Sequence, residues 1–276
     1  MALPVYDNHL HLSPSGRNIE ALKEFQAAGG TGLTLVTLPY PEVQISEGSD
    51  FKRSFDITLS LAERARESTD LKVNVSVGPY PILLFSLAER FGLEKAEKIM
   101  IEGMEIAASM VADGKANSIG EIGRPHFPVD DPRIIESSNR ILLKGMELAH
   151  EVDCPVIIHC ESEDHTDSDL SSLAREAGLD VGKVIKHSSP PWVTPEETHG
   201  VMPSIPASRS LIREAISKSG RFMIETDFID DPLKPDAIMA VTTVPKRIRG
   251  FSQSGELSEE QIYRICEEIP DSLYTR

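Results

Sequence analysis

The chain has 276 residues, 40% of them hydrophobic and 5% aromatic, and 28 Lys and Arg stand against 44 Asp and Glu for a formal charge of −16. No apolar run approaches the roughly 18 residues that cross a bilayer, and a surface this acidic repels polyanions at long range, which argues against a membrane protein and against tight, nonspecific duplex binding. Cys154, Cys160 and Cys266 form no C-x-x-C pair and leave an odd thiol, and the N-terminus carries no basic and apolar leader, so a reduced, cytoplasmic protein without a disulfide framework is expected.

The first apolar run, residues 5–12, contains Asp7-Asn8-His9-Leu10-His11. Strict alternation along a strand puts Asp7, His9 and His11 on one side and Asn8 and Leu10 on the other. Two imidazoles about 7 Å apart along a strand can converge on one cation if other segments supply further ligands. A bare H-x-H is equally a strand with two incidental histidines, so the later strands decide.

A helix is predicted over 18–28, ended by Gly29-Gly30, and a β-branched strand over 31–38, stopped by Pro39-Tyr40-Pro41. Helical spacing of Phe55, Leu59 and Ala62 marks 54–67, and 71–77 alternates as a third strand. Helices fill 86–112. The fourth strand, 116–123, carries Glu121 near its end; a helix over 131–152 leads to a fifth, 154–159, ending at His159. After a helix at 168–177, a sixth strand over 181–187 ends at His187. A weaker seventh spans 198–205, and an eighth over 221–228 carries Asp227 near its end. Helices at 207–218, 237–249 and 258–268 complete the alternation.

No repeat, low-complexity tract or linker divides the chain, so one domain over 1–276 is expected. Eight strands alternating with helices over this length indicate an α/β fold of the (β/α)8 TIM-barrel type. No G-x-G-x-x-G or G-x-x-x-x-G-K-[ST] follows a strand, which removes a nucleotide-cradling reading. The active face of such a barrel is at the C-terminal ends of its strands, where His9, His11, Glu121, His159, His187 and Asp227 all fall. His150, near a helix C-terminus, and His199, before the seventh strand, read as structural. His126 and His165 sit in loops above the site, where substrate contact is the alternative, and read as solvent-exposed loop histidines.

This order of residues resembles the TatD family of metal-dependent hydrolases within the amidohydrolase superfamily. The resemblance rests on Asp7-x-His9-x-His11, Gly120-Glu121-Ile122-Gly123, His159, His187 and Glu225-Thr226-Asp227, and spans nearly the whole chain. It implies that His9, His11 and Asp227 bind one metal, that His159 and His187 bind a second, and that Glu121 bridges them. Mixed imidazole and carboxylate ligands suit Zn²⁺, with Mn²⁺ or Mg²⁺ as alternatives. In that scheme Asp227 is the general acid-base, and Asp7 and Glu225, deeper in the barrel, support the ligands.

The chain also departs from the family. Arg124-Pro125 replaces the usual Leu-Asp after G-E-I-G, Tyr80-Pro81 replaces His-Pro after strand three, and Ser188-Ser189-Pro190-Pro191-Trp192 replaces Cys-Phe-Ser-Gly after His187. A divergent branch is implied. Arg124 could clamp a substrate phosphate or carboxylate, the alternative being a salt bridge to the acidic surface. Two enzymatic functions follow: a phosphodiesterase or deoxyribonuclease acting on single-stranded nucleic acid, and a hydrolase of an ester, lactone or amide in a small molecule. A metal-binding protein without turnover is the remaining class.

Overall fold

The structure, a computed structural model, describes residues 3–218 and 220–275. Strands and helices alternate: β1 (Tyr6–His11), α1 (Ile19–Ala27), β2 (Gly32–Val36), α2 (Asp50–Ser68), β3 (Lys72–Val77), α3 (Leu83–Phe91), α4 (Leu93–Ala112), β4 (Ser118–Gly123), α5 (Pro132–Glu151), β5 (Val156–His159) and α6 (Thr166–Glu176). Then come β6 (Val184–Lys186), α7 (Pro195–Thr198), β7 (Met202–Pro206), α8 (Arg209–Lys218), β8 (Met223–Glu225), β9 (Phe228–Ile229), α9 (Thr243–Ser254), α10 (Glu259–Tyr263) and α11 (Ile269–Tyr274).

All pairings are parallel, in the order β8-β7-β6-β5-β4-β3-β2-β1-β9. The two ends of that order, β8 and β9, are successive segments of one stretch of chain. Its first half pairs with β7, and its second half pairs with β1 through Leu10↔Phe228 and His11↔Ile229. Asp227 N–H donates to the His9 carbonyl between them at 3.0 Å. The eighth strand of the predicted barrel is therefore present in two pieces, and it closes the TIM barrel.

The strands are buried on both faces, as their β-branched and aliphatic composition requires. Leu33, Leu35, Val73 and Val75 join Phe55 and Ala62 of α2 in one apolar cluster between barrel and helices. Thr34 and Val36 of β2 are in register with Asn74 and Ser76 of β3. Near the start of β1 the Tyr6 hydroxyl meets Thr34 at 2.7 Å and accepts from Asn74 at 2.7 Å, so the buried polar groups there are partnered. Tyr274 of the last helix lies over Tyr6 and donates to Asn8 at 2.8 Å, sealing the end of the barrel away from the strand C-termini.

Several predicted bounds move. Helices over 86–112 begin earlier, at Leu83, and divide at Gly92, whose φ of 81° suits glycine. The first three residues of the sixth segment form a 3-10 turn, Val181–Lys183, which leaves His187 just beyond β6. Thr198 belongs to α7, so the seventh strand starts at Met202. The helix placed at 237–249 starts at Thr243, and the one at 258–268 continues through a π turn (Arg264–Glu268) into α11. No helix among the described residues is long and apolar enough to cross a membrane.

Candidate metal centre

Six side chains from five strand ends meet at the C-terminal mouth. On β1, His9 Nε2 and His11 Nε2 are 3.1 Å apart. His11 Nδ1 donates to the Val36 carbonyl at 3.0 Å, which leaves Nε2 as the bare nitrogen, since a carbonyl can only accept. Asp227 Oδ1 lies 3.5 Å from that nitrogen. Opposite them, His159 Nδ1 is 3.2 Å from His187 Nε2. Glu121 stands between the pairs. Its Oε1 is 2.5 Å from His159 Nδ1 and 3.1 Å from His187 Nε2, while its Oε2 is 3.7 Å from His9 Nε2 and 4.0 Å from His11 Nε2.

Two donors held about 2.1 Å from one ion at tetrahedral angles are separated by about 3.4 Å, so these spacings are those of ligands around a shared cation. Two sets of three, His9 with His11 and Asp227 and Glu121 with His159 and His187, each have their donor atoms within 4.8 Å of one another. His9 Nδ1 is buried without a hydrogen-bond partner among the described residues. A buried group of four imidazoles and two carboxylates with these spacings can hold a metal ion.

Burial and mutual charge set the protonation states. Burial and the neighbouring His187 hold His9 well below its ordinary value, so this imidazole is neutral. Burial opposes charge on His187, but Glu121 and Glu225 outweigh it and raise the group well above its usual range. Burial likewise pushes Glu121 up, and His187, His159 and His9 together pull it well below the ordinary carboxylate range. Asp227 is also lowered, because His11, His9 and His187 overcome its burial. Both carboxylates are therefore anions in a basic pocket, the state that a cation needs.

Strict alternation along β1 does not hold. The register with β2 shifts between Asp7 and Leu10, and Asn8, expected opposite His9, donates to Ser204 Oγ at 3.0 Å on the side of the site. Ser204 in turn donates to Glu225 Oε2 at 2.5 Å, and Glu225 Oε1 accepts from Ser188 N–H at 2.7 Å and from His187 Nδ1 at 3.1 Å. Glu225 thus fixes the ring of His187 with Nε2 toward Glu121. Asp7 acts on backbone instead of on an imidazole: it accepts from Thr226 N–H at 3.0 Å, Thr226 Oγ1 at 2.7 Å and His9 N–H at 3.3 Å. Those bonds hold the break in the eighth strand that presents Asp227, whose φ is 50°.

Arg124 is held by its neighbours. It is 6% exposed, its Nη2 is bonded to Glu161, and its N–H donates to the His159 carbonyl at 2.8 Å. Of the two expected roles, the ion pair is the one present, and its partner is the partly exposed carboxylate of Glu161 on the loop after β5. His150 and His199 stay outside the cluster; His199 caps α7 with φ 49°. His165 is exposed near Glu163 and Asp169.

Two residues of the mouth were not singled out from sequence as part of it. His126, read as a solvent-exposed loop residue, is exposed but places Nδ1 2.7 Å from His159 Nε2. Tyr80 packs edge-on against His159 at 5.2 Å, and its hydroxyl is pushed up to about 12 by burial, Glu121 and Asp227. The available signal was position alone, since each follows a strand end in a βα loop.

A parallel barrel with a buried imidazole and carboxylate cluster at the C-terminal ends of its strands defines a TIM-barrel protein with a centre able to hold a metal. The family described as TatD related DNase matches residues 6–275, and this chain belongs to that family. An uncharacterized protein of Methanocaldococcus jannaschii is 34% identical over 99% of this chain and 96% of its own length. The crystal structure of the TatD-like protein of Archaeoglobus fulgidus shares the fold, with 16% identity, 97% of this chain and 99% of that one covered, and a TM-score of 0.62. A variant of an organophosphorus hydrolase from Deinococcus radiodurans does so with 15% identity, 99% and 92% coverage and a TM-score of 0.66. Family and fold together support a metal-dependent hydrolase.

Proposed function

We propose that this chain is a two-metal hydrolase that cleaves phosphodiester bonds in single-stranded DNA. The observation that carries it is the division of labour at Glu121, whose two oxygens face two different histidine pairs. His9, His11 and Asp227 would hold one ion, His159 and His187 the other, and Glu121 both. Zinc suits this donor set, with manganese or magnesium as alternatives. When bound, such a pair of ions supplies a hydroxide nucleophile near neutral pH and offsets charge on the attacked oxygen.

The chain's own groups do the rest. Asp227 Oδ2 takes the proton of the attacking water and returns it to the leaving oxygen, with the anionic state of the carboxylate secured by His11 and His9. Glu225 keeps the His187 ring in one orientation, and Asp7 holds the backbone that aims Asp227. Incubation of the metal-loaded chain with labelled single-stranded DNA under Zn²⁺, Mn²⁺ and Mg²⁺ tests the reading; intact DNA under all three would end it.

A second reading has its own observation. A recess of about 150 Å³ beside Tyr80, lined by Leu83, Phe55, Tyr40 and Thr37, is largely apolar and suits part of a small ester, lactone or amide. Turnover of such compounds with DNA left intact would select it.

A further inference from the structure

A second cluster of charge lies between the two helices that follow strands seven and eight. A depression of about 150 Å³ between α8 and α9 is lined by Arg209, Arg213, Lys246, Arg247, Gly250 and Glu256. Its position follows from two hydrogen bonds. Arg247 Nε donates to the Ala207 carbonyl at 2.9 Å, and Ala207 N–H donates to the carbonyl of Glu225 at 2.8 Å. Glu225 is the carboxylate that orients His187. Arg209 begins α8 just after β7 ends, so one end of the depression lies behind strands seven and eight near the C-terminal face of the barrel, and Ser254 and Glu256 mark the other end, where α9 stops.

Four cations converge here on a chain of net charge −16, and the one carboxylate among them is already used. Glu256 accepts from Arg213 Nε at 2.6 Å and Nη2 at 3.1 Å. The side chains of Arg209 and Lys246 have no ion-pair or hydrogen-bond partner among the described residues, and Arg247 spends only its Nε. Burial and then the nearby Arg209 hold the Arg247 guanidinium below its ordinary value, so the two cations repel within a shared space. Four cations against one carboxylate leave an excess of positive charge that suits an anion, and Arg gives phosphate a bidentate partner.

We propose that this depression binds a backbone phosphate of a single-stranded nucleic-acid substrate, away from the bond that is cleaved. The inference rests on the phosphodiesterase reading above. It resolves the conflict between an acidic surface and a polyanionic substrate: long-range repulsion rejects bulk polyanion, while one local site of opposite sign holds a strand at a single phosphate.

The test is fluorescence anisotropy of a fluorescein-labelled oligo(dT) strand on the full-length, metal-free chain, so that binding is read without cleavage. A Cβ at Gly250 meets nothing within 4 Å, so Gly250→Glu places a carboxylate in the depression without steric conflict, and Gly250→Ala is its control. Gly250→Glu and the double variant Arg209→Ala/Lys246→Ala should each weaken binding about tenfold or more at low salt, and the double variant should flatten the log–log salt slope by about 1.4. Gly250→Ala should bind as the wild type does. Equal affinity and slope in wild type and both charge variants, or no binding by the wild type at low salt, would overturn the proposal.

Cleavage separates the two ideas. If metal-loaded wild type and double variant cut a limiting strand equally well, the phosphate site is refuted and the nuclease reading stands. If the strand is held through the depression yet survives every metal, the site stands and the nuclease reading fails.

Discussion

His126 Nδ1 lies 2.7 Å from His159 Nε2. His159 Nδ1 faces Glu121 and His187, so Nε2 is the nitrogen that carries the proton when Nδ1 is a ligand, and it then donates to His126. A metal-bound imidazole whose other N–H is fixed in this way keeps its orientation and gains basicity. His126→Ala should weaken metal binding by about 10- to 100-fold. His126→Gln, which keeps an acceptor, should recover part of the loss. Competition of metal-loaded protein with a chromophoric chelator measures both, and equal affinities for all three chains would show that the contact is incidental.

Strand ends and ligand types were legible in the sequence for a physical reason. Buried parallel strands must be continuous apolar runs, and a barrel places whatever polar residue ends each run at one mouth. That logic reached His159 and Glu121 directly. It placed His126 in an exposed loop above the site but not against His159, because a βα loop has no periodicity and nothing local reveals that the chain after Pro125 folds back over β5. It misjudged β1 for a similar reason: alternation assumes unbroken pairing, whereas the register with β2 shifts and brings Asn8 to Ser204. The split of the eighth strand was equally invisible, since it depends on Asp7, 219 positions away, bonding Thr226. For Arg124 the sequence offered an ion pair without its partner, because Glu161 comes beside it only once β4 and β5 pair.

Glu121 is the only carboxylate of the cluster that faces both histidine pairs, so its loss should affect both ions. In Glu121→Ala the histidine pairs remain but the anion offsetting the repulsion of two cations is gone. Dialysed Glu121→Ala protein should therefore carry less than half the metal of the wild type by elemental analysis. Equal metal contents would show that Glu121 does not bridge.

Asp227 occupies a left-handed backbone position, with φ 50°, where a short polar side chain is tolerated and alanine is strained. Asp227→Asn keeps the backbone and one ligand oxygen but can no longer accept a proton. Its kcat should fall by about 10²- to 10⁴-fold with only a small change in KM. Normal kcat in Asp227→Asn would remove this residue from the proton path.

Asp167 tests burial away from the metal centre. Both of its carboxylate oxygens are buried without hydrogen-bond partners among the described residues. Burial pushes it from 3.8 to about 6, against the pull of Lys186 and His199. Because the folded value lies above the unfolded one, the folded chain holds a proton that the unfolded chain releases. The associated stability is fully present below the unfolded value and is lost as pH rises toward about 6. An asparagine there stays neutral throughout. In metal-free protein, Asp167→Asn and wild type should have similar stability near about pH 4, and the variant should be the more stable near about pH 8 by on the order of 2 kcal/mol. Urea titrations at the two pH values measure the difference; a gap that fails to widen with rising pH would mean that the ionised Asp167 is compensated, with Lys186 as the group to substitute next.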